Sequence, residues 1–333
     1  AKAARALNAD FRIALTGTPM ENNLLEFWSI CSVAAPGLLG PPDYFKQTYP
    51  IPADKPEIAT VSLERLRQKT RPFFLRRTKD QVERDLPPKT EQVLAIELSE
   101  AHRHIYDLNL QRERQNVLGL LTEGGMQRNR FQILKSLTRL RQFALHPGLV
   151  SPSHQSVPVE KLERLTVELS QLVQGGHKAL VFSQFTSFLT FVKKRLDQEH
   201  IPYAYLDGST RNRQEVIRSF RDEVGTPVFL ISLKAGGVGL NLVEADYCFV
   251  LDPWWNPAVE RQAVDRAHRI GQTKHVFVYK LIAKGTIEEK VLVLQEKKKK
   301  LFDNLFGGKD GFSAVTEEDV KKEKAKAKEL RAS

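Results

Sequence analysis

Gln262, Arg266 and Arg269 are spaced i, i+4 and i+7 in a short segment with helix signals at both ends. Asn256 can cap its start, Pro257 suits the first helical position and Gly271 suits the residue just past its end. On a helix these three polar side chains share one face, while Val259, Ala263, Ala267 and Ile270 form an opposite, buried stripe. Two guanidinium groups side by side suit a polyphosphate, because each planar fork matches phosphate oxygens and does not lose its charge. The plainer reading is a surface helix with an Asp265–Arg269 ion pair. Spacing alone favours the plainer reading, so the decision passes to the elements that position this segment.

Those elements alternate from Val159 onward. Helical stretches at about 159–174, 185–199 and 211–222 are interleaved with apolar strands at Ala179 to Phe182, Tyr203 to Leu206 and Val228 to Ser232. Further strands follow at Cys248 to Leu251 and Val276 to Ile282, and Thr286-Ile287-Glu288-Glu289 is a capping box for a last helix. Strands alternating with helices predict an α/β fold with a parallel sheet covered on both faces. In such a sheet the loops at the carboxyl ends of the strands share one edge. Four informative loops fall there: Ser183-Gln184-Phe185, Asp207-Gly208-Ser209-Thr210, Ser232 to Asn241, and Asp252 to Pro257, which leads into the arginines.

The earlier part of the chain is less regular. Phe11 to Leu15 reads as a short buried strand ending in the loop Thr16-Gly17-Thr18-Pro19. A helix is predicted from about Asn23 to Val33 and a basic one over Leu63 to Phe74. Residues 93–98 alternate as a strand would. A helix runs from Glu100 towards Leu121, Gly124-Gly125 interrupts, and a second helix covers Phe131 to Ala144. Residues 151–158, rich in Ser and Pro, read as a linker.

Composition narrows the partners. The 333 residues carry a net charge of +11, which favours a polyanion, nucleic acid first, although runs such as Lys297 to Lys300 supply part of it. No run of 18 apolar residues suggests a membrane span, and no leader is visible. Two cysteines, Cys31 and Cys248, exclude a disulfide framework, and the histidines show no metal spacing. The chain opens at Ala1 without Met in a helical pattern, as a piece of a longer polypeptide would. The Gly-rich loop Ala235 to Leu240 lets backbone N–H groups approach an anion, but no Gly-Lys-Ser/Thr follows it. Arginines suited to nucleotide phosphates are present without a cradle for the nucleotide.

Eight segments in order resemble the Snf2 (SWI/SNF-like) branch of superfamily 2 helicase-type ATPases: Leu15 to Asn22, Leu75 to Lys79, Asp85 to Lys89, Val181 to Phe185, Leu206 to Thr210, Ser232 to Leu242, Asp252 to Pro257 and Gln262 to Gln272. The plain tail is similar to bacterial members. The resemblance implies two RecA-like lobes with ATP between them and duplex DNA across both. Residues 1–80 would be the end of lobe one, 81–158 helical insertions and linker, 159–300 a complete lobe two and 301–333 a charged tail. It also implies ATP with Mg2+, held mainly by a nucleotide loop and an Asp-Glu box that these residues do not include, and no metal ligand within them.

By the same resemblance Arg266 and Arg269 match the arginine fingers, and Gln262, Gly237, Gly239 and Asn241 face the nucleotide. Thr16, Gly17 and Thr18 match the motif that couples the two sites. Ser183, Gln184, Ser209, Ser232, Lys234 and Trp254 would meet the DNA. The expected activity is a DNA-dependent, ATP-driven translocase on double-stranded DNA, acting on DNA-bound proteins in the cytoplasm at the nucleoid, with this segment inactive alone. Two other readings stay open: a stand-alone nucleic-acid-binding module without ATPase activity, and a strand-separating helicase.

Overall fold

The computed structural model describes residues 2–17, 19–20, 23–52, 55–75, 86–222, 225–236 and 240–306. Thr18, Gly237, Gly239, Arg76 to Lys79, Asp85 and the tail from residue 307 lie outside them. The chain divides into two compact units, residues 83–295 and residues 1–82 with 296–333.

Residues 83–295 are built on six parallel strands: β1 (Lys89–Ile96), β2 (Ala179–Ser183), β3 (Tyr203–Leu206), β4 (Val228–Ser232), β5 (Tyr247–Val250) and β6 (Val276–Ala283). Their order is β1-β6-β5-β2-β4-β3. The central strand β2 is buried along its whole length between β4 and β5, which is why its sequence is a continuous apolar run. Leu180 and Phe182 pack on one face with Phe220 and Ala263, from the helices Arg213–Asp222 and Pro257–Val264. Ala179 and Val181 pack on the other with Leu169 and Val192, from the helices Glu160–Gln174 and Thr186–Gln198. This is the covered parallel sheet that the alternation predicted.

The sheet also takes in residues expected among the insertions. β1 pairs in register with β6, Lys89 opposite Val276 through Ile96 opposite Ala283. The helices Glu100–Arg128 and Arg130–Leu145 belong to the same unit, with Tyr106, Phe143 and Ala144 in a cluster with Ala283. The compact unit therefore extends upstream of residue 159. Gly124-Gly125 does not interrupt its helix, which continues to Arg128. Each helical glycine costs about 1 kcal/mol relative to alanine, which a helix of this length absorbs by propagating on both sides.

The smaller unit has its own apolar cluster of Phe27, Trp28, Leu39, Phe45, Leu63 and Leu66. Asn23 caps the helix Leu24–Ala34 by accepting from the Leu25 N–H at 3.0 Å. The Trp28 indole donates to the Gly40 carbonyl at 2.9 Å, at a turn where Gly40 takes φ +66°. Pro56–Thr70 is the basic helix, followed by a 3-10 turn at Arg71–Phe73. The strand expected at Phe11 to Leu15 does not form: the segment is irregular, with Phe11, Ile13 and Leu15 79%, 71% and 93% exposed. A strand needs a hydrogen-bonded neighbour, and among the described residues every paired strand belongs to the other unit. Among the described residues no helix is long and apolar enough to cross a membrane.

Candidate nucleotide and nucleic-acid site

The loops at the carboxyl ends of β2, β4 and β5 do meet. Ser183 and Ser232 lie opposite each other at the last register position of β2 and β4. The Asp252 carboxylate, just past β5, accepts the Ser183 hydroxyl and the Gln184 N–H, the latter at 3.1 Å. The loop after β4 is fastened to the arginine segment, with Leu242 N–H donating to the Arg266 carbonyl at 2.9 Å and Arg269 Nη1 reaching the Leu240 carbonyl at 3.5 Å. After β3, Arg213 donates to the Ala235 carbonyl at 3.2 Å, joining the next helix to the turn after β4.

Asn256 does cap the arginine-bearing segment, its Oδ1 accepting from Ala258 N–H at 3.0 Å, with Pro257 first in the helix. The helix is shorter than predicted. It ends at Val264, and Arg266 and Arg269 stand in the tight turns that follow. Helical continuation would need the Arg266 and Ala267 carbonyls for N–H groups four residues on. Those carbonyls instead accept from Leu242 N–H and from the Gln272 side chain, at 2.9 and 3.1 Å. Ala263 and Ala267 are buried as expected, Val259 is half-buried, and Ile270 is 71% exposed because it lies beyond the helix. Gly271 takes φ +99°, the left-handed conformation its position called for.

The two arginines remain electrostatic neighbours. Arg266 is half-buried, and burial first, then Arg269, push its pKa below the ordinary arginine value, against a smaller opposing effect of Asp265. Two like charges held together in a partly dry site favour an anionic ligand, so these residues fit a phosphate. Gln262 is half-buried, while Asn241 and Arg269 are exposed. Among the described residues no group of three or more His, Cys, Asp or Glu could hold a metal ion.

The expected DNA residues divide by burial. Lys234 and Ser209 are exposed, and Gln184 and Trp254 half-buried. Ser209 donates through both N–H and hydroxyl to Asp207, at 2.8 and 2.7 Å, and these bonds hold the Asp207 carboxyl below the usual range. Ser183 and Ser232 have no usable surface. Ser183 is fully buried against Asp252, and Ser232 accepts the Ala235 N–H at 3.3 Å, stapling the start of the turn Leu233–Gly236. Both are correctly placed in sequence for a strand end, but a hydroxyl at the last sheet position serves its own loop first. Thr16 and Gly17 are exposed.

Sequence reasoning missed the charges beneath this edge. Lys161 and Glu288 form a fully buried pair at 2.7 Å, with Lys161 also donating to the Leu251 carbonyl and Glu288 accepting from Ala283 N–H. Burial raises the Glu288 pKa and Lys161 opposes it. The sequence pattern assigns Glu288 only to a capping box; Thr286 does cap, accepting Glu288 N–H at 3.2 Å. Gln272 spends its whole side chain on the backbone, donating to Val243, Ala245 and Ala267 carbonyls and accepting from Thr273 and Lys274 N–H. Sequence reasoning gave no role to Arg141, which is 1% exposed. The signal was available: it shares the helical register of Leu134 and Leu137, a cation on an apolar stripe.

Comparison with known proteins agrees with this architecture. The pattern described as the SNF2-related domain matches residues 1–149, and that of the helicase conserved C-terminal domain matches residues 160–271. The solved SWI2/SNF2 ATPase core of Sulfolobus solfataricus in complex with dsDNA is 32% identical over 95% of this chain and 67% of that one, with a TM-score of 0.55. The chain belongs to the SNF2 family. The SNF2 relatives include an uncharacterized ATP-dependent helicase of Mycoplasma pneumoniae, 35% identical over 96% of this chain and 30% of its own length. The TATA-binding protein-associated factor MOT1 of Saccharomyces cerevisiae is 34% identical over 89% of this chain and 19% of its own. The chain thus spans less than a third of the length of these two curated relatives. Its sheet is RecA-like, as in the SNF2 core structures.

Proposed function

We propose that the chain is the carboxyl-terminal part of an ATP-driven motor on double-stranded DNA, with residues 159–300 as its second RecA-like lobe and residues 1–80 closing the first. The observation that carries this reading is the joining of the Arg266–Arg269 turn to the loop after β4 at one sheet edge, with Arg269 close enough to perturb the half-buried Arg266. Arg266 and Arg269 act as arginine fingers, opposing the charge that develops on phosphate oxygens during hydrolysis. Gln262, Asn241 and the glycines Gly237 and Gly239 line the nucleotide side. ATP with Mg2+ supplies the transferable phosphoryl group and is held mainly by residues outside these 333.

On the DNA side, Lys234, Ser209, Gln184 and Trp254 touch the duplex, while Ser183 and Ser232 hold the loops that carry them. Thr16 to Thr18 relay between the two sites. The SNF2 core bound to dsDNA supports duplex DNA as partner; on this reading the motor displaces proteins on that DNA, at the nucleoid in the cytoplasm. ATP hydrolysis by the full-length protein with duplex DNA tests the assignment. Arg266→Ala is expected to lower turnover by about 10³-fold; wild-type turnover in that variant sinks it, and salt-sensitive DNA binding with no nucleotide effect would favour a plain binding module instead.

A further inference from the structure

Arg141 crosses from the helix Arg130–Leu145 to the edge just described. Its Nη2 donates to the Pro253 carbonyl at 2.7 Å and lies 3.6 Å from an Asp252 carboxylate oxygen. Its guanidinium carbon is 5.3, 5.5 and 5.4 Å from the ring centres of Phe185, Trp254 and Trp255. Its Nε and Nη1 are buried with no hydrogen-bond acceptor, so the rings are the main company of the remaining guanidinium. A bare buried cation costs several kcal/mol, which a single carboxylate seldom offsets fully, whereas faces of aromatic rings add cation–π attraction. Asp252, held by Arg141, also fixes Ser183 and Gln184. One side chain therefore grips the loop after β5 directly and the loop after β2 through Asp252.

We propose that Arg141 is a positioning residue for DNA: it seats Trp254 and Trp255 and, through Asp252, sets Gln184, so that the two loops present one surface to the duplex. This rests on the reading of these loops as the DNA side. Only a guanidinium has the planar fork to bond Pro253 while lying among three rings, so lysine, with the same charge, does not substitute. A role confined to stability would lower thermal stability and leave the response to DNA unchanged.

The test uses the full-length protein and DNA-stimulated ATP hydrolysis. In Arg141→Lys the duplex concentration giving half-maximal rate is expected to rise about tenfold, with turnover at saturating DNA within about threefold of wild type. Asp252→Asn, which keeps the shape and removes the charge, is expected to shift the DNA response in the same direction and serves if the lysine variant does not fold. In protein labelled with 5-fluorotryptophan, the two resonances assigned by Trp254→Phe and Trp255→Phe should both move in Arg141→Lys. Wild-type DNA response in a folded variant, loss of turnover and melting temperature together at unchanged half-saturating DNA, or unmoved resonances each overturn the proposal. Absence of DNA stimulation in the wild type overturns the underlying functional reading and the DNA role with it, while the resonances still decide the seating of the rings.

Discussion

Residues 11–15 and 179–183 are two short apolar runs, each ending in a polar loop, and they meet opposite fates. Ala179–Ser183 is wholly buried, flanked by parallel strands on both sides and helices on both faces. Phe11, Ile13 and Leu15 are exposed and irregular in a unit that pairs no strands among its described residues. An apolar run is thus an offer of a strand, taken up only where another strand can satisfy its backbone. The same contrast governs polar groups: charges beneath the well-neighboured edge, such as Lys161, Glu288 and Asp252, can be buried because the sheet and its helices supply partners.

The largest expected effect strikes the neighbours of that edge. Lys161→Met leaves Glu288 buried without its cation and should destabilise by about 3–5 kcal/mol in urea unfolding. Adding Glu288→Leu should restore most of the loss; a double variant as unstable as the single would mean the pair is more than mutual compensation. The next pits the two runs directly. Leu180→Ala should cost about 2–4 kcal/mol and Ile13→Ala less than about 0.5 kcal/mol in the same chain. Equal costs would break the comparison.

The smallest concerns His146, whose Nδ1 accepts the Gly148 N–H at 2.9 Å and whose ring lies 4.0 Å from that of Phe191. Burial first, then His102, lower its pKa to about 4. The unfolded chain, near the ordinary 6.5, binds a proton before the folded one does, so this contribution is full above 6.5 and is lost as pH falls towards 4. Up to about 2–3 kcal/mol should disappear over that window, and His146→Asn should flatten the slope measured by unfolding at successive pH values. An unchanged slope would put the pH response elsewhere, His102 being the next group, its pKa also lowered by burial.

The sequence was most legible where two independent signals agreed. Tyr203–Leu206 and Val228–Ser232 have the predicted bounds because β-rich apolar runs are punctuated by turns and helices at both ends. The Asn256 cap and the left-handed Gly271 were equally readable, since capping and positive φ are local chemistry. The helix end at Val264 was not readable, because the carbonyls of Arg266 and Ala267 go to donors at Leu242 and Gln272. Nor was the role of Ser183, a hydroxyl drawn inward by a carboxylate 69 residues away.

Residue types and spacing by themselves determined the alternation of strands and helices, the parallel sheet, and which loops carry arginines, glycines and tryptophans, because hydrophobic period and turn chemistry act over a few residues. The tertiary structure alone decided that residues 89–96 join the sheet, that residues 11–15 stay unpaired, and that Arg141 sits among rings contributed by two different loops. Those outcomes depend on which distant groups supply backbone partners and countercharges, and no local pattern encodes a partner a hundred residues away.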